Sequence, residues 1–105
     1  MDKTRQDALS RCRRTLEHEG FRVSSPSPRT ENGAGDSDVL ATNVGHRVCV
    51  HVVPTAHIND VRTRAHLLAS AIEGETRVFV EWPVRWRMVS NLQRWGIRGV
   101  SVDTW

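Results

Sequence analysis

Tyrosine is absent from this chain of 105 residues, lysine occurs once, at Lys3, and cysteine twice, at Cys12 and Cys49. Without tyrosine there is no tyrosine-recombinase chemistry. With one lysine at the very start there is no Walker-type phosphate loop, and neither a glycine-rich phosphate cradle nor a G-x-S-x-G nucleophile elbow occurs elsewhere. The two cysteines are too far apart for a metal-ligand spacing and too few for a disulfide framework, so they read as buried free thiols. No run approaches the roughly 18–20 apolar residues that cross a bilayer. Met1–Ser10 is polar and lacks the apolar region of a signal peptide, so a cytoplasmic protein without membrane contact is expected.

Fourteen of the fifteen lysine and arginine residues are arginine. The formal net charge is +3 and the pI about 9.6. Residues 1–30 and 61–105 each carry seven basic and four acidic groups, whereas 31–60 holds Arg47 against Glu31, Asp36, Asp38 and Asp60. Two basic flanks around an acidic centre suit a polyanion held about a carboxylate-bound metal; a solvated surface with chance asymmetry gives the same tally. Arginine is the better partner for phosphates and base edges, although a GC-rich genome produces the same bias.

Length and composition indicate one domain spanning 1–105. A first helix is predicted over Lys3–Glu19, with Leu9, Cys12 and Leu16 as its apolar stripe, Arg11, Arg14 and His18 on another face, and Gly20 ending it so that Phe21 folds back. A short strand follows at Phe21–Ser24. Residues 25–37, with two prolines, two glycines and an Asn-Gly pair, form no regular element and read as a mobile loop. Strands are predicted at Asp38–Thr42 and Arg47–Val53 around an Asn43–Gly45 turn, with Val48, Val50 and Val52 on one face and Arg47, Cys49, His51 and Val53 on the other. A second helix, His57–Glu73, is expected to bury Ile58, Val61, Ala65, Leu68 and Ile72 and to pair Asp60 with Arg64. A strand over Arg77–Trp82 places Trp82 in the core with Val78 and Val80. A third helix from Pro83 to Trp95 buries Val84, Met88, Leu92 and Trp95 and ends at Gly96, and Gly99–Asp103 is the last strand. Consecutive early strands imply antiparallel pairs, and the later helical crossovers imply parallel ones, so the sheet is mixed.

This α-β-β-β-α-β-α-β order, an α/β fold with a central mixed sheet flanked by helices, resembles the restriction-endonuclease-like superfamily, the PD-(D/E)XK nucleases. It is most similar to small members such as archaeal-type Holliday junction resolvases. The resemblance spans nearly the whole chain and is one of pattern. It implies an Asp opening the second strand, here Asp38, and a Glu-x-Lys in the third. Those two positions hold His51 and Val53 in Val50-His51-Val52-Val53-Pro54. A first-helix glutamate, Glu17 or Glu19, completes the implied set. In such nucleases paired carboxylates hold Mg²⁺, which activates water, and the lysine orients it. Imidazole suits Mn²⁺ or Zn²⁺ better than Mg²⁺, and valine has no role at a phosphate. The resemblance therefore implies a degenerate site. No cofactor is expected unless the site is active, when Mg²⁺ or Mn²⁺ would sit on Asp38 and His51 with Glu17 as the third catalytic residue. Each residue also has a plainer role: Asp38 as a turn residue, His51 as a half-buried sheet histidine, and Asp60 near His57 as a helix cap rather than a shared metal ligand.

Local runs supply the remaining candidates. Trp86, flanked by Arg85 and Arg87, points outward if a helix begins at Pro83, and suits base stacking or a protein hot spot. With Arg11, Arg14, Arg29, Arg62 and Arg64 these form the expected nucleic-acid-binding set. Three functions stay open: a catalytically degenerate nuclease-fold domain that binds DNA or joins an assembly, a protein-interaction subunit or homodimer using Trp86, Trp105 and the last strand, and an endonuclease with an altered metal site.

Overall fold

A computed structural model of the chain describes residues 3–24 and 39–105. The chain runs α1 (Lys3–His18), β1 (Arg22–Ser24), β2 (Val39–Asn43), β3 (His46–Val52), α2 (Val61–Glu73), β4 (Thr76–Val80), α3 (Arg85–Trp95) and β5 (Val100–Thr104). Single 3-10 turns at Thr55–His57 and Trp82–Val84 precede α2 and α3. The result is an α/β fold with a five-stranded mixed sheet in the order β1-β2-β3-β4-β5. β1, β2 and β3 are antiparallel neighbours; β3, β4 and β5 are parallel. Asp38, Arg29 and the expected loop at 25–37 lie outside the described residues.

Local chemistry explains the element ends. Gly20 has φ +97°, and the Gly20 and Phe21 amides donate to Glu17 and Leu16 carbonyls at 3.0 Å each, which closes α1 and turns Phe21 onto the core. α3 ends the same way: Gly96 sits at φ +70°, and the Ile97 amide donates to the Leu92 carbonyl at 3.0 Å. The β2–β3 hairpin pairs Asn43 with His46, leaving Val44 and Gly45 as its tip.

The sheet separates two cores. On one side α1 packs Ala8, Cys12 and Leu16 against Val39, Ala41, Val48, Val50, Val52 and Phe79. On the other, Ile58, Leu67, Val84, Met88 and Leu92 cover Val53, Val78 and Val80. The strands advance β3→β4→β5 in one direction, so crossovers of one hand place α2 and α3 on the same face. α1 is left to cover the opposite face. β3 is consequently buried on both faces, and Cys12 and Cys49 are buried free thiols.

Three sequence expectations are corrected. α2 starts at Val61, not His57: Pro54 and the turn at Thr55–His57 set its entry, and Ile58 is buried from this connection. The helix is rotated from its expected phase. It buries Leu67 and Ser70, whereas Val61, Leu68 and Ile72 are 79%, 42% and 77% exposed. Ser70 and Thr76 share a buried hydroxyl–hydroxyl hydrogen bond of 2.9 Å that fixes this rotation against β4. Trp82 is 64% exposed rather than core, because β4 ends at Val80 and the chain turns before Trp82 can take its place in the alternation. Among the described residues, no helix is long and apolar enough to cross a membrane.

Candidate nucleic-acid interface

The two described members of the implied metal set, His51 and Glu17, lie on opposite sides of the sheet. Strand alternation puts Val48, Val50 and Val52 on the α1 side, so His51 points to the opposite face, where it is 4% exposed. Glu17 is exposed on α1, in the other layer, and Glu19 is engaged elsewhere. Val53, at the position implied for lysine, is buried among Ile58, Val78 and Val80. A hard Mg²⁺ ion wants several oxygen ligands on one centre, and these residues do not offer them. Among the described residues no group of three or more His, Cys, Asp or Glu is placed to hold a metal.

His57 and Asp60 do meet, with Nδ1 and Oδ2 2.7 Å apart. Asp60 occupies the N-cap position of α2 but makes no side-chain capping bond, and its carboxylate goes to His57 instead of to Arg64. Thr63 anchors the same turn by donating to the His57 carbonyl at 2.7 Å.

The basic candidates divide between two layers. Arg62 and Arg64 are exposed on α2, and Arg85, Trp86 and Arg87 open α3 on the same side of the sheet. Trp86 is 67% exposed, as its outward placement required. The Arg85 guanidinium carbon lies 5.3 Å from its ring centroid, which occupies one ring face by cation–π contact.

Arg11 and Arg14 lie in the other layer and line an open groove of about 700 Å³ with Thr15, His18, Glu19, Thr104 and Trp105. Its position follows from the topology. α1 packs over β1, β2 and β3 and leaves the β5 side of this face open, where Trp105 packs against the core. The Trp105 amide donates to the Val80 carbonyl at 3.3 Å, extending the β4–β5 pairing to this residue. Arg11, Arg14 and His18 recur at i, i+3 and i+7, one helix face about 10 Å long.

Charge in the groove is sorted by Arg77. Its side chain is 18% exposed, and its guanidinium donates to both Glu19 carboxylate oxygens at 3.0 and 3.2 Å and stands 3.9 Å from Asp103. The acidic wall is thereby compensated from β4. Arg11 and Arg14 are exposed and enter no ion pair among the described residues. Sequence patterning found Arg11, Arg14 and His18 and, separately, Trp105 as a candidate contact; their meeting with Thr104 and Arg77 in one groove depends on β5 lying beside β4 and carries no local signal.

Comparison with protein-family models, with curated proteins and with solved structures gave no match.

Proposed function

We propose that this chain is a nucleic-acid-binding module on a nuclease-like α/β scaffold whose catalytic set has degenerated, with DNA as its ligand. The observation that carries this reading is the α1–β5 groove: a histidine and two arginines that enter no ion pair among the described residues, on one helix face opposite Trp105, with the neighbouring Glu19 and Asp103 carboxylates engaged by Arg77. Arginine forks suit phosphate oxygens, and an open groove admits a strand of any sequence. The helix face spans about 10 Å, comparable to three nucleotide steps at roughly 3.4 Å each. Arg85, Trp86 and Arg87 form a second, separate contact in the opposite layer, where the uncovered face of Trp86 accepts a stacked base.

The test is fluorescence anisotropy with labelled single-stranded, duplex and four-way-junction DNA in EDTA across a salt series. Binding that weakens steeply with salt, and that is reduced in the Arg11→Ala/Arg14→Ala variant, supports the groove. Absence of binding to every DNA at low salt defeats the proposal.

A further inference from the structure

α2 offers two stripes to its surroundings, and the fold buries the less apolar one. Leu67 and Ser70 are buried, and Ala71 packs on the core. The other stripe, Val61, Ala65, Leu68 and Ile72, faces solvent, with Val61 and Ile72 more than three-quarters exposed. These four residues step by four, three and four. This is the a/d spacing of a seam between two helices, too regular for scattered surface apolar residues. Such a seam left in water is an unfavourable surface that a partner would cover. Residues 25–38 offer little to cover it with: apart from two prolines they contain a single apolar side chain, Ala34.

The charges beside the stripe identify the partner. Arg62 and Glu73 are eleven residues apart, about three turns, so they stand on the same flank of the stripe at its opposite ends. Both are exposed, and neither enters an ion pair among the described residues. The stripe is centred between residues 66 and 67, and the Arg62–Glu73 pair between 67 and 68. One two-fold axis across the middle of α2 therefore lays the stripe on itself and sets Arg62 of each copy beside Glu73 of the other. The antiparallel arrangement also opposes the two helix dipoles.

We propose that α2 is the contact surface for a second copy of this chain, packed antiparallel about this axis. Val61 of one copy meets Ile72 of the other, Ala65 meets Leu68, and two Arg62–Glu73 pairs close the same edge of the seam. The contact is isologous and closes at a dimer. It lies in the layer opposite the α1 groove and does not depend on DNA binding.

Sedimentation equilibrium of the full chain over a concentration series tests this. A monomer–dimer equilibrium is expected, and Leu68→Glu should raise its Kd roughly tenfold or more with the far-UV circular dichroism unchanged. Arg62→Glu alone should weaken the dimer, and Arg62→Glu combined with Glu73→Arg should restore it. A chain that is monomeric at about 1 mM, or a dimer indifferent to Leu68→Glu, overturns the proposal. A charge-reversed double variant no better than Arg62→Glu alone overturns the antiparallel geometry.

Discussion

Arg11, Arg14 and Arg77 carry the same charge, and what stands beside each decides its work. Arg77 is held by Glu19 and Asp103, and its guanidinium neutralises one wall of the groove. Arg11 and Arg14 are exposed and enter no ion pair among the described residues. Arg11→Ala and Arg14→Ala should each weaken DNA binding similarly for all sequences and lower the slope of log K against log salt by about one, read by anisotropy titrations. If the groove binds DNA, Arg77→Ala should weaken binding too, for the opposite reason: it frees the Glu19 and Asp103 carboxylates beside the groove. Phe79 acts mainly through packing, with the Arg77 guanidinium carbon 6.0 Å from its ring centroid. It is fully buried beneath α1, and Phe79→Ala should cost about 3–5 kcal/mol in urea unfolding by leaving a cavity under the helix.

At the scale of elements, the joints decide more than the helices themselves. Asn91, 1% exposed on α3, donates to the Ile58 carbonyl at 3.0 Å and to Asn59 Oδ1 at 2.8 Å, and accepts from Arg94 at 2.6 Å. It ties α3 to the connection that launches α2. Asn91→Leu should cost about 1–3 kcal/mol, measured by chemical denaturation, because a buried carbonyl loses its donor. Gly96 is constrained by its backbone: a Cβ there meets no atom within 4 Å, but φ is +70°. Gly96→Ala should therefore cost about 1–2 kcal/mol through strain alone, read as a fall in Tm. α2 shows why helix phase is harder to read than helix existence. Its sequence holds two stripes with helical spacing, and hydrophobicity favours the one left outside. Burial of Ile58 before the helix and the Ser70–Thr76 hydrogen bond select the other.

For the whole molecule, the decisive feature is a sheet that keeps two chemistries apart. The α1 groove and the Arg85–Trp86–Arg87 run sit in opposite layers, as do Glu17 and His51. A contiguous DNA ligand must pass an edge of the sheet to reach both basic groups, so alanine substitution at Trp86 should weaken long DNA more than short oligonucleotides. The same separation keeps Glu17 and His51 on opposite faces of the sheet, and incubation with Mn²⁺ and branched or duplex DNA should give no cut product. Product that appears with the wild type and vanishes in Asp38→Ala would restore a nuclease reading.

The sequence by itself determined the element order, the antiparallel-then-parallel pairing, the alternation in β3, the glycine ends of α1 and α3, and the Arg11–Arg14–His18 face. All of these are local: period two or 3.6, a left-handed residue after a helix, a proline after a strand. Tertiary structure decided the rest. Trp82 left the core because β4 stops two residues before it, α2 turned its most apolar stripe outward, and the groove formed because β5 lies beyond the part of the sheet that α1 covers. Each depends on which element is a spatial neighbour, and sequence periodicity does not encode that.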